Sequence, residues 1–309
     1  MTWQAVARKE FDDSVRSRWL HGATLFFVLF VGGASFLMFG VLLPPQLNDT
    51  SNLFGFFADL GIFRLSFPGL LALVLGFVAL STSYGSITEE RETGTIKLAL
   101  SLPNSRRDLM AGKFLGRGAV VAASLLVGFL AAFVVFLATG TTMSVESLAP
   151  VVALTVLLGL AFVSVGLGIS AVADSNREAT LATLGLYLIF GILWKPIAEG
   201  IPKLLNYAAE EAGAGALADF TRVKIGLFLK YLNPLRTYET LVAQVYYGPA
   251  QARLTGATTG EAFVVGNQFA PAQGGVPVYL SGGVMLLIFL AWVVVPTVVG
   301  YYVFRERDL

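Results

Sequence analysis

Between residues 87 and 117 the chain places Glu89, Glu90, Arg91, Glu92, Lys97, Arg106, Arg107, Asp108, Lys113 and Arg117 between two long apolar runs free of charge. The spacing rules out a phosphate loop, which needs two glycines flanking four residues, then Lys and Ser or Thr. Here Gly112-Lys113 is followed by Phe114 and preceded by Arg107 where the first glycine should stand. Thiol chemistry is excluded because the chain has no cysteine, and a soft-metal site has only His21 and five scattered methionines to draw on. Docking of a partner on a charged surface remains.

Local signals give that surface a shape. Thr88 to Thr95 is an acidic cluster closed by Gly94, a residue suited to ending a helix in a left-handed turn. A short apolar piece, 96–102, and Pro103-Asn104 lead to Ser105-Arg106-Arg107-Asp108. A serine with an acid three residues later is the spacing of a capping box, so a new helix is expected from Arg106 through Lys113 and Arg117. The predicted pad is helix, glycine break, helix. A plainer reading stands beside it: any loop between spans needs charge to stay out of lipid.

The elements that must carry the pad are apolar. The chain has 309 residues, of which 56% are hydrophobic and 13% charged, with a mean hydropathy of +0.74, more apolar surface than a soluble domain can hide. A formal net charge of +1 gives no case for nucleic acid as a partner. Runs long enough to cross about 30 Å of hydrocarbon lie at residues 22–43, 65–84, 118–140, 150–173, 179–194 and 279–304. The expectation is an all-α polytopic membrane protein of six transmembrane helices, one transmembrane domain over 1–309. The fifth run, the shortest, either continues through Lys195, Pro196 and Ile197 or bends there, since Pro196 removes a backbone donor.

Basic residues orient it. Arg8, Lys9, Arg16 and Arg18 precede span one, the pad carries its own set, Arg177 follows span four, and Arg305 and Arg307 close the chain, whereas the connections after spans one and three hold only Arg64. Both termini are therefore expected in the cytoplasm of a multi-pass cell-membrane protein. Residues 1–18 do not read as a signal peptide, since Glu10, Asp12 and Asp13 are mixed with the basic residues and a long apolar run follows. Trp3, Ala7, Phe11 and Val15 give one apolar face, as an interfacial amphipathic helix would, or a solvated tail of helical propensity. Residues 198–278 form a large extracytoplasmic segment with helices expected at 219–232 and 236–247; it could be a gate or simply pack on the outer mouth. Asn48-Asp49-Thr50 matches a glycosylation sequon, a pattern frequent by chance.

No charged residue falls within the six apolar runs. Ion- and proton-coupled carriers commonly keep one there, so energy for any uphill movement is expected to enter from outside the membrane. On the quoted residues 87–95, 100–109 and 112–116, the pad closely resembles the loop after the second span of type-2 ABC exporter permeases. Arg8-Lys9-Glu10-Phe11, Tyr231-Leu232-Asn233-Pro234-Leu235 and the ending Phe304-Arg305-Glu306-Arg307-Asp308-Leu309 are similar to further segments of that family. In size and tail the chain also resembles the subgroup that includes the permease serving copper-site maturation in nitrous oxide reductase.

The resemblance implies an exporter permease without a nucleotide site of its own. ATP and Mg would be bound by a separate ABC ATPase, two copies of which pair with two permease chains, as homodimer or heterodimer. It assigns ATPase coupling, over the loop 85–117, to Glu89, Glu90, Glu92, Gly94, Thr95, Arg106, Arg107 and Asp108. It also implies that spans two and five line the path, which nominates Phe77, Ser81, Tyr84, Thr183, Tyr187 and Phe190, although ordinary helix packing explains such residues equally well. An uncharged aromatic lining suits a lipidic or amphipathic solute. Ser164 and Gly168 read as a close helix contact. The alternative function is a non-transporting mechanical transmitter or scaffold that acts on an extracytoplasmic partner protein.

Overall fold

The computed structural model describes residues 2–54, 57–60, 63–95, 105–254 and 277–307, and six of its helices are long and apolar enough to cross a membrane. In chain order the elements are α1 (Trp3–Val15), α2 (Arg18–Leu42), α3 (Thr50–Phe54), β1 (Phe57–Leu60), β2 (Phe63–Ser66), α4 (Phe67–Ser83), α5 (Thr88–Glu92), α6 (Arg106–Thr139), α7 (Val145–Val172), α8 (Asn176–Glu211), α9 (Asp219–Leu232), α10 (Pro234–Leu254) and α11 (Gly282–Glu306). The spans are α2, α4, α6, α7, α8 and α11. Their alternation puts α1, α5 and the last turn of α11 at one end of the bundle and α9 and α10 at the other.

Small residues set the packing. Helix α7 is central, with α4, α6 and α11 against it. A Cβ on Gly168 of α7 would lie 2.5 Å from the carbonyl oxygen of Pro296, and one on Gly300 would lie 2.8 Å from the Cα of Gly168, so α7 and α11 touch backbone to backbone. Ser164 completes that crossing: its Oγ is 2.8 Å from Thr297 Oγ1 and accepts the Thr297 N–H at 3.1 Å. The close helix contact read from Ser164 and Gly168 is the one between the fourth and sixth spans.

Four features go beyond what the apolar pattern alone announces. Of the two courses open to the fifth span at Pro196 it takes the continuing one, running as helix to Glu211 with a π turn at Ile189–Leu193. Pro196 falls in the first turn after that interruption, where a missing N–H breaks no α-helical bond. The connection after span one contains an antiparallel hairpin pairing Phe57 with Ser66 and Leu60 with Phe63, which the apolar pattern did not suggest. Asn48 is 5% exposed, and its amide donates to the carbonyls of Thr139 at 3.1 Å and Phe39 at 3.4 Å; it serves as a structural tie, not a glycan acceptor. Lastly, the face that α1 packs on the bundle is centred on Val6, while Trp3 and Val15 of the expected stripe stay exposed. The reason lies in α6, where Gly112 and Gly116 leave a seat that Val6, Ala7 and Glu10 fill: a Cβ on Gly112 would come within 2.5 Å of Val6 Cβ, and one on Gly116 within 2.8 Å of the Ala7 carbonyl.

The expected helix at 219–232 is α9, and α10 starts slightly before its expected position and breaks at Gly248, where φ is +74°. The short apolar piece at 96–102 with Lys97, and the stretch 255–276, lie outside the described residues.

Candidate functional site: a charged cluster at the termini end

Lys113 sits on the first turns of α6, one residue after Gly112, so it points into the seam where α1 lies against the span. It is wholly buried, with Nζ 2.8 Å from Glu10 Oε1 of α1 and 2.7 Å from Glu90 Oε1 of α5. Arg117, one turn on, donates from Nε to Glu10 Oε2 at 3.0 Å and also reaches the carbonyl of Thr82 near the end of α4. Two acids and two bases thus close a neutral cluster over three separate elements. A buried lysine is tolerable only with such compensation, since desolvating an ion costs several kcal/mol. Burial alone would push the Glu10 carboxyl up, but the charges of Lys113 and Arg117, with their hydrogen bonds, hold it below its ordinary value of 4.5.

Around the cluster, other pad residues tie off helix ends. Arg106 Nη1 donates to the carbonyls of Phe304, Arg305 and Arg307 at 2.7, 2.8 and 2.8 Å, and its guanidinium lies 5.4 Å from the centre of the Phe304 ring. That satisfies the open carbonyls at the end of α11 with a cation, the sign its dipole favours. Glu92 Oε1 accepts the Asn176 N–H at 2.7 Å, an acid at the start of α8. Arg91 and Arg307 both donate to the carbonyl of Ala173 at the end of α7, at 2.9 and 3.1 Å. Ser170 Oγ in α7 accepts the backbone N–H groups of Ile87 and Thr88 at 2.9 and 3.2 Å, seating the entry to α5.

The local expectations for the pad hold. Gly94 takes φ +73°, and Ser105 with Asp108 makes the capping box at the start of α6. The eight nominated residues divide by direction. Glu89, Glu92, Thr95 and Arg107 are exposed; Gly94 is half-buried at the turn; Asp108 is spent on the cap; Glu90 and Arg106 face inward. Reading the sequence missed Glu10, Lys113 and Arg117 as members of one site. The available signal was the pair of glycines flanking Lys113, which marks a helix face that another backbone approaches.

The six nominated pathway residues are brought together only in part. Phe77 is half-exposed and meets Tyr187 edge-on, ring centres 6.0 Å apart, while the Tyr187 hydroxyl donates to the Leu73 carbonyl at 2.9 Å. Ser81 and Tyr84 are half-buried and Thr183 is buried. Phe190 is 2% exposed, packed among Phe162, Trp194 and Trp292 inside the subunit. Its place on the π turn matters more: the Phe190 carbonyl accepts from Asn233 Nδ2 at 2.8 Å, and the indoles of Trp194 and Trp292 donate to Leu229 and Leu232 at 3.0 and 2.9 Å. Among the described residues no three carboxylate or imidazole groups converge as metal ligands would.

Comparison with known proteins now bears on this geometry. Residues 4–309 match the family described as ABC-2 family transporter protein. A probable ABC transporter permease protein NosY from Pseudomonas aeruginosa is 30% identical over 193 residues, covering 61% of this chain and 66% of that protein. Another protein so described, from Stutzerimonas stutzeri, is 25% identical over 306 residues, covering 98% of this chain and 97% of its own length.

Proposed function

The chain belongs to the ABC-2 family of transporter proteins, as a multi-pass membrane permease, and from that premise we propose that it is the membrane subunit of an exporter driven by a separate ABC ATPase docking at the termini end. Both termini and the pad then lie in the cytoplasm, with two permease chains and two ATPase subunits in the complex. ATP and Mg belong to the ATPase.

The observation that carries this reading is the division of the pad into two faces. Glu89, Thr95 and Arg107 present charge and hydroxyls outward, while Glu90 behind them grips Lys113. A subunit that moves the outer face moves Glu90, and with it α1 and α6, because one buried ammonium joins all three. Flexible charges on a loop would absorb such a push; a desolvated, ion-paired cluster transmits it. Phe77 and Tyr187 remain the pathway candidates, on the spans next to the pad, and suit an amphipathic solute.

The test uses the complex with the ABC ATPase that co-purifies with the chain. Glu89→Lys with Arg107→Glu should leave membrane insertion and thermal midpoint unchanged and release the ATPase. Full retention with unaltered stimulation of ATP hydrolysis would overturn the reading. A second reading, a mechanical transmitter acting on an outer protein, is favoured by the three hydrogen bonds that fasten α9 and its junction with α10 at Asn233 to spans five and six. ATP-dependent flux in proteoliposomes separates the two: flux supports the exporter, and outer-segment movement without flux supports the transmitter.

A further inference from the structure

At the termini end α8 stands off the closely packed pair α7 and α11. The three helices leave a cleft of about 360 Å³ whose walls run from Val165 to Ala173 on α7, from Glu178 to Leu186 on α8 and from Trp292 to Gly300 on α11. Each wall is nine residues long, so its ends lie about 12 Å apart at 1.5 Å per residue. Half of the hydrocarbon core is about 15 Å. The cleft therefore runs parallel to the helices through one leaflet, the leaflet on the side of the termini, and stops near the middle of the membrane. Its back wall is formed where Gly168, Pro296 and Gly300 bring two backbones together, a crossing too tight to be filled from within.

Chemistry changes along its length. The deep part is apolar, lined by Val165, Leu186 and the Trp292 ring, whose N–H is already used on Leu232. Glu178, in the first turn of α8, is the one charged group lining the mouth. It is exposed, and its Oε2 accepts the Asp174 N–H at 2.9 Å, which fixes the carboxylate at the rim. Beside it stand Asp174, ion-paired to Arg307 at 2.7 Å, and the guanidinium groups of Arg307 and Arg91, both of which donate to the carbonyl of Ala173, itself a lining residue. The rim thus offers acid and base side by side above an apolar slot.

We infer that this cleft is a binding site for one phospholipid of the cytoplasmic leaflet that carries a primary amine in its headgroup, with an acyl chain between α7, α8 and α11. The slot is apolar and matches an acyl chain in depth, polarity and direction. The rim matches a zwitterion: a primary ammonium donates to Glu178 and Asp174, and the phosphate meets Arg91 and Arg307. A volume of about 360 Å³ falls at the lower end of the ~300–1,000 Å³ of ligand sites, enough for one chain rather than several. The site lies on the face of α8 that carries Glu178, Ala182 and Leu186, away from Tyr187 and the Phe77 contact, so its occupant is a fixed constituent and not the solute of the proposed path. The inference rests on the crossing of the membrane and, for the leaflet, on the cytoplasmic termini proposed above; it stands or falls separately from the exporter reading.

The test is native mass spectrometry of the purified complex, delipidated in detergent and exposed to equal amounts of a phosphatidylethanolamine and a phosphatidylglycerol of the same chain length. Wild type should retain one phosphatidylethanolamine per chain in preference to phosphatidylglycerol. Ala182→Trp, at an exposed position on the cleft wall, should lose that bound lipid, while Leu184→Trp on another face of the same helix should keep it. Glu178→Gln should lower the preference for the amine lipid about tenfold, the loss of one charge-assisted hydrogen bond. Equal retention of both lipids by wild type, or retention by Ala182→Trp equal to that of Leu184→Trp, overturns the proposal. So does a change of oligomeric state in Ala182→Trp with lipid retention unaltered, since a second copy of the chain would then be what covers the cleft.

Discussion

The two ends of the bundle are fastened by opposite chemistry. At the termini end, charge closes on charge: Lys113 with Glu10 and Glu90, Arg117 with Glu10, and Arg106 over the carbonyls of α11. At the outer end the ties are neutral, with Asn233 on the Phe190 carbonyl, two indoles on α9 carbonyls, and Thr155 Oγ1 2.9 Å from the buried Tyr238 hydroxyl between α7 and α10. A neutral hydrogen bond contributes its modest share whatever the salt or pH. A buried ion cluster is stable only when complete, because removing one member strands the others without water. The outer end is therefore a fastening, and the termini end is the one that a charged partner or a proton can open.

That contrast can be broken by substitution, and the largest effect should come from its centre. Lys113→Met leaves Glu10 and Glu90 facing one another in a dry seam and should cost about 3–5 kcal/mol, read as a fall in thermal midpoint and release of α1 to proteolysis. A wild-type melting profile would remove the distinction between the two ends. Next comes Asn233→Ala, which orphans the Phe190 carbonyl and should cost about 1–3 kcal/mol, equally at low and high salt. A loss as large as that of Lys113→Met, or one that salt modulates, would mean the outer end is no simpler than the inner. The smallest effect sharpens the comparison by pH. Because the folded Glu10 carboxyl titrates below 4.5, its contribution is fully present above that value and is lost as pH falls further. The margin in melting temperature of wild type over Glu10→Gln should be constant at neutral pH and shrink once the pH drops below 4.5. The outer-end variant should show no such window.

Much of this architecture was legible before any coordinates because its signals are local. Long apolar runs find the spans, Ser105 with Asp108 marks the start of α6, Gly94 marks the end of the acidic turn, and the amphipathic run at 219–232 is α9. What escaped is tertiary. Lys113 and Glu10 are 103 residues apart, and nothing in the local pattern of either distinguishes a solvated charge from a desolvated one. The same holds for span five, whose passage through Pro196 depends on a π turn held by a carbonyl partner from another segment, and for Asn48, whose sequon conceals an amide bonded to Thr139 across 91 residues. The N-terminal helix likewise has a second face, centred on Val6, that its apolar stripe did not announce and that two glycines on α6 receive.

The seat formed by Gly112 and Gly116 gives the pad a second hold on span one. Helix α1 lies on α6 and is joined to span one by only Arg16 and Ser17. Span one also rests on span three directly, where Gly128 admits the Phe27 backbone and Thr24 Oγ1 donates to Ser124 Oγ at 3.0 Å. Whatever displaces the pad thus reaches α2 along its shared wall with α6 and again by way of Lys113 and α1, around a corner of two residues. A side chain at either glycine would cut the second route and leave the first in place.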